Sequence, residues 1–172
     1  MPRSKQPVKK EQSVPRATRP VMPAGYQIPG DGEFMPWNEM DERLANAHNY
    51  WVATTRPDGR PHAMPVWAVW VDGKLYFGTD RDSRKARNLA ANPEVAVHLE
   101  SGDEVAILEG AVEVVTEAAV IKVVDADYKK KYGMRVSDAP GNLCLFALRP
   151  RVAFAWREKD FNQFATRWLF AE

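Results

Sequence analysis

The chain has 172 residues, about the size of one domain, and its 45% hydrophobic and 10% aromatic content is enough to build a buried core. The net charge is +1, but six basic side chains (Arg3, Lys5, Lys9, Lys10, Arg16, Arg19) and one acid (Glu11) put +5 on the first 30 residues, which leaves −4 on the rest; such an acidic body is a poor nucleic-acid surface, because affinity there comes from Lys and Arg on phosphates. No apolar run approaches the roughly 20 residues of a membrane span, the N-terminus lacks the apolar stretch of a secretory signal, and a single cysteine, Cys144, with His48, His62 and His98 far apart, provides neither a disulfide nor a zinc pattern, so a cytoplasmic protein with no nucleic acid, membrane or metal as partner is expected.

Seven of the thirteen prolines fall in the first 36 residues, where large apolar side chains are few. Such a segment buries too little to offset its ordering entropy. Residues 1–35 therefore read as a flexible, Pro-rich, basic tail, disordered or extended over a neighbouring subunit, with a basic anchor for an anionic partner as the other reading. The folded domain is expected over 36–172. From Pro36 the pattern is helical, with Met40, Arg43, Leu44 and Ala47 on one face. Strands follow at Tyr50 to Arg56 and His62 to Val71, joined by the turn residues Pro57-Asp58-Gly59-Arg60, and after Asp72-Gly73 a third strand runs from Leu75 to Thr79. A short helix from about Arg84 to Asn92 is closed by Pro93. Strands at Val95 to Glu100 and Val105 to Val115 come next, then a helix from Glu117 to Tyr132 with Gly133 as its stop. Leu143 to Leu148 and Val152 to Trp156 supply two more strands. The class is mainly β: an antiparallel sheet curled into a small barrel with flanking helices.

Three features go beyond a plain barrel. On the His62–Val71 strand, Met64, Val66, Ala68 and Trp70 form one face and Ala63, Pro65, Trp67, Val69 and Val71 the other, so both faces are apolar, where an antiparallel strand usually wets one. A second subunit or a flat ligand has to cover the outer face, and Pro65 marks an edge or a bulge. In the second feature, Thr79-Asp80-Arg81-Asp82-Ser83-Arg84-Lys85-Ala86-Arg87-Asn88-Leu89, Ser83 is an N-cap. Arg84 and Lys85 then fall in the first helical turn, where the backbone dipole disfavours cations by a few tenths to ~1 kcal/mol. An anion held there by free amides, the Thr79 and Ser83 hydroxyls and the two cations accounts for that order, and Asn88, three residues after Lys85, extends the face. The alternative is a solvated cluster in which Asp80 and Asp82 pair with Arg81 and Arg84. The third feature is the aromatic run Phe161 to Phe170, which has to be docked, either as a last strand or with Arg167 and Trp168 lining a ligand pocket.

In their order, Asp58-Gly59-Arg60-Pro61, Pro65-Val66-Trp67, Asp72-Gly73-Lys74-Leu75-Tyr76-Phe77-Gly78-Thr79, Ser83-Arg84-Lys85-Ala86-Arg87-Asn88-Leu89 and Asn92-Pro93 resemble the pyridoxamine-phosphate-oxidase-like split β-barrel superfamily. The match covers roughly Pro36 to Val115, and Ala165-Thr166-Arg167-Trp168 before Phe170 is similar to how many of its flavin and deazaflavin dependent oxidoreductases end; that branch often uses cofactor F420. The resemblance implies an FMN-binding-like split barrel, homodimeric, with cofactor at the subunit interface. Thr79, Ser83, Arg84, Lys85 and Asn88 would take the cofactor phosphate, the ring would lie along Pro65-Val66-Trp67, and Arg167 and Trp168 would close the site from the other subunit. FMN oxidases of the superfamily carry a further Arg and Lys on the second strand; here His62 to Val71 has neither, which leans toward F420 over FMN. The implied activity is hydride transfer between cofactor and a small planar or conjugated substrate. An FMN-dependent oxidase or reductase and a non-catalytic flavin, F420 or haem binder stand as alternatives. No catalytic base is assigned, since His62 reads as a structural donor and Tyr50, Trp51 and Trp67 as core or pocket walls.

Overall fold

A computed structural model of the chain describes residues 14–26, 28–139 and 141–171. The expected charges at Arg3, Lys5, Lys9, Lys10 and Glu11 lie outside the described residues. Among the described residues there are nine strands: β1 (Arg16–Thr18), β2 (Tyr50–Thr55), β3 (Pro61–Val66), β4 (Ala68–Val71), β5 (Lys74–Asp80), β6 (Glu94–His98), β7 (Glu104–Val114), β8 (Leu143–Arg157) and β9 (Thr166–Leu169). Four α-helices accompany them: α1 (Trp37–Asn46), α2 (Arg84–Ala91), α3 (Ala118–Tyr132) and the single turn α4 (Phe161–Phe164).

All pairings are antiparallel and belong to one sheet, ordered β1-β9-β8-β7-β6-β2-β3, with β5 also on β8 and β4 on β5. The expected His62–Val71 strand is thus two strands broken at Trp67: β3 pairs only with β2 and β4 only with β5. The run of chain bridges the two ends of the sheet, and the hydrogen-bonded circuit stays open at the break, as in a split barrel. Conversely, the two strands expected at 143–148 and 152–156 are one, β8, bent where the register against β7 shifts between Glu109 and Gly110. A Cβ on Gly110 would stand 2.1 Å from the Arg149 carbonyl oxygen, so only glycine lets the strands approach at this bend.

The barrel interior holds Met40 and Leu44 from α1, Val52, Phe77, Leu108, Phe146, Leu148 and Trp168, while α3 covers a second apolar layer through Val124 and Tyr128 on Val69, Tyr76, Leu145 and Ala147. Strand β5 at 75–77 and β8 at 144–148 are therefore buried on both faces. Along 62–71 the cover is uneven. The outer face of β4 lies under α3, whereas Met64 and Trp67 remain 48% and 45% exposed and Ala63 and Pro65 are also exposed.

Part of the expected tail is laid against the body. β1 pairs with β9, Arg19 Nη1 donates at 3.0 Å to the carbonyls of Gln163 and Ala165, and Met35 is 1% exposed, its N–H bonded to Thr166 Oγ1 at 2.8 Å. At the other end, Phe161–Phe164 form a helical turn in place of strand, and only Thr166–Leu169 alternate. No helix among the described residues is long and apolar enough to cross a membrane.

Candidate functional site

Helix α2 begins as its sequence predicts: Ser83 is the N-cap, accepting the Ala86 N–H on Oγ at 3.1 Å, and the same oxygen lies 3.1 Å from Thr79 Oγ1 at the end of β5. The apolar side of α2 turns inward and takes Lys85 with it, leaving that residue 7% exposed while Arg84 stays exposed. Burial pushes the Lys85 ammonium down to about 8. Among the described residues it has no ion pair and no hydrogen-bond partner; the Phe77 ring lies 5.9 Å from Nζ. The alternative of a local charge cluster does not form. Asp80 accepts the Asp82 N–H at 2.7 Å, and neither acid holds Arg81 or Arg84 among the ion pairs of the described residues. A buried cation with no counter-charge among the described residues, beside two hydroxyls and the unpaired amides of a helix's first turn, is a grouping that can hold an anion.

Lys85 and Thr79 line a cleft of about 340 Å³ together with Pro65, Val66 and Trp67. Five of the ten expected site residues thus share one cavity. The rest of its lining was not anticipated: Gly78, Tyr128, Met134, Val136, Ala139 and Leu143. The loop after α3 supplies three of these, anchored by Ser137, whose N–H and Oγ donate to Asp125 at 3.0 and 2.6 Å. Gly78 admits the loop, since a Cβ there would lie 2.8 Å from Val136 Cγ2. The signal for this wall was faint: Gly133 as a helix stop, then a segment with no period.

Three of the other expected residues are engaged elsewhere in the chain. Asn88 is fully buried and donates through Nδ2 to Thr54 Oγ1 at 2.9 Å, so it braces α2 on β2 and does not reach the cleft. Trp168 is 1% exposed and meets Trp37 edge to face at 5.3 Å, because the β9 alternation turns Thr166 and Trp168 inward. No ligand ring can stack on it without unpacking the core. Arg167, on the outward side, donates through Nε to Thr18 Oγ1 at 3.0 Å and ties down β1. Of the aromatic pocket-wall candidates only Trp67 lines the cleft; Tyr50 is fully buried and Trp51 stacks on His98. His62 lies on β3, its Nδ1 3.5 Å from Thr54 Oγ1, and partial burial together with the charges of Arg56, Lys85 and Arg84 holds its imidazole below the usual value.

The sequence pattern of the pyridoxamine 5'-phosphate oxidase family matches residues 37–157. A pyridoxine/pyridoxamine 5'-phosphate oxidase of Bacteroides thetaiotaomicron is 33% identical over 129 residues, covering 70% of this chain and 55% of its own. The chain spans 35% to 55% of the length of the curated relatives it matches. Among solved structures, a conserved hypothetical protein of Mycobacterium tuberculosis superposes with a TM-score of 0.66 at 24% identity, over 76% of this chain and 90% of that one. A protein described as an F420 reductase superposes with a TM-score of 0.53 at 25% identity, over 66% of this chain and 94% of that one.

Proposed function

The chain belongs to the pyridoxamine 5'-phosphate oxidase family, and from that premise we propose that it is an oxidoreductase that binds a phosphorylated flavin-type cofactor, F420, and passes hydride to a small planar or conjugated substrate. The observation that carries the reading is Lys85, a buried cation with no counter-charge among the described residues, lining one cleft with Pro65, Val66 and Trp67. The residues present fit such a cofactor. Lys85, the Thr79 and Ser83 hydroxyls and the first amides of α2 would hold its phosphate, with Arg84 adding charge from outside. Pro65, Val66 and Trp67 offer a flat apolar strip for its ring, and Tyr128, Met134 and Val136 keep water from the far side. When bound, the cofactor supplies the hydride chemistry, and the protein supplies placement and electrostatics. Lys85 and Tyr128 are the titratable side chains of the cleft, and burial pushes the Tyr128 hydroxyl well above its ordinary value. Neither is suited to give a proton to substrate while holding its place, so proton delivery is assigned to water.

A homodimer belongs to the same reading, with the exposed Met64 and Trp67 covered by a second copy. FMN is the second cofactor reading, favoured by the family match and the 33% identical relative. Against it stands the absence of Arg and Lys from β3 and β4. Titration of the purified protein with F420, FMN and haem, followed by tryptophan quenching and absorption, separates the readings: micromolar F420 binding and turnover with reduced F420 support the first, micromolar binding of FMN with turnover on reduced FMN supports the second, and no binding of any of the three sinks the cofactor assignment.

A further inference from the structure

Between Val66 and Ala68 the cleft's own strand changes partner, from β2 to β5, and Trp67 belongs to neither ladder. Backbone groups left at such a change have to be bonded from elsewhere when they lie inside the fold. The end of α3 does this with three side chains at spacings that share one helical face. Tyr128 Oη donates to the Trp67 carbonyl at 2.7 Å. Tyr132 Oη accepts the Ala68 N–H at 3.0 Å and lies 2.8 Å from both the Ala68 and His48 carbonyl oxygens. Lys131 Nζ donates to the Ala68 carbonyl at 3.1 Å, and also to Tyr50 Oη at 2.8 Å and the Ala45 carbonyl at 3.3 Å. The Tyr132 ring stacks on the Trp67 indole, centroids 4.8 Å apart and planes 7° from parallel. Packing alone requires none of these polar ends, and a buried hydroxyl or ammonium is costly unless bonded.

We propose that Tyr128, Lys131 and Tyr132 are positioning residues that fix Pro65-Val66-Trp67 in the shape that receives the cofactor ring, independently of the phosphate grip at α2. The ring half of this statement rests on the cofactor reading above. Tyr132→Phe keeps the stacked ring and deletes the bonds to Ala68 and His48. Hydrogen exchange of the 65–70 segment should accelerate tenfold or more in this variant, with β5 and β7 unchanged. Affinity for the cofactor that the wild-type protein binds should fall about tenfold, while inorganic phosphate, read as a competitor of that cofactor, keeps its affinity within twofold. Should Tyr132→Phe fail to fold, Lys131→Met, which loses one bond to the same Ala68 carbonyl, carries the same measurements. Unchanged exchange and affinity, or cofactor and phosphate affinities falling together, overturn the proposal. If the wild-type protein binds neither F420 nor FMN, the cofactor reading and the ring half fall, and the exchange rates alone decide whether α3 fixes the strand.

Discussion

Lys85 and Arg84 are neighbours in sequence with opposite fates, and the difference sets what each contributes. Arg84 is exposed and solvated, whereas Lys85 is desolvated and sits near 8 without an anion. A bound phosphate favours the charged amine and raises that value. Affinity for a phosphorylated cofactor should therefore be full below pH 8 and fall as pH rises from 8 toward the higher value of the complex, by at most tenfold per pH unit for one proton. Above pH 7 a cofactor phosphate is already ionised, but burial also pushes Lys131 down to about 8, so titrations between about pH 7 and 9.5 compare the wild type with Lys85→Met to separate the two lysines. In Lys85→Met the slope should vanish and affinity should drop about 10- to 100-fold, the worth of a hydrogen bond to a charged group. A slope that survives the substitution would assign the titration to another residue. Lys85 was legible in the sequence because a cation in a helix's first turn opposes the dipole. Asn88 and Trp168 were not, because their roles depend on which way a helix face and a four-residue strand turn, and Thr54 and Trp37, the groups that claim them, are distant in sequence.

At the scale of elements, hairpin signals and apolar alternation located β2, β5, β6 and β7 to within a few residues and the β3–β4 run as one strand, since those cues are local. They missed where a strand changes partner. The break at Trp67 and the continuity of β8 through Pro150 both depend on what lies alongside, and a proline that reads as a terminator is tolerated at the bend because the β7–β8 register shifts there. Gly110 tests this bend. Gly110→Ala drives a methyl group into the Arg149 backbone, which has no flexible end to move aside. A cost of about 1–3 kcal/mol is expected from such overpacking, a loss of roughly 2–10 °C in Tm for a chain of this size. An unchanged melting curve would show that the bend relaxes freely. The wall formed by Met134, Val136 and Ala139 lay beyond sequence reasoning for a related reason: a loop has no period, and its place comes from the Asp125–Ser137 bonds and the hollow at Gly78.

In the whole molecule the run 62–71 is covered over β4 and open along β3, both at the cleft and beyond it. α3 shields the outer face of β4, yet among the described residues β3 is bonded on one side only, and Ala63, Met64 and Pro65 stand exposed along it, with Trp67 exposed just past its end. An apolar edge of this kind invites pairing or aggregation unless something covers it. A second copy laid on this strip would bury the apolar side chains and narrow the same cleft in which Lys85 waits for an anion, so association and cofactor binding should be linked. The expected result is a dimer by sedimentation or light scattering, tightened by cofactor. Met64→Lys places a charge in the strip outside the cleft lining; it should shift the protein toward monomer and weaken cofactor binding together, and a second phosphate-end variant, Arg84→Ala, should weaken binding with the dimer intact. A protein that sediments as a monomer with or without cofactor, yet binds it at micromolar concentration, would assign a complete site to the single chain and leave the exposed strip without a role in the chemistry.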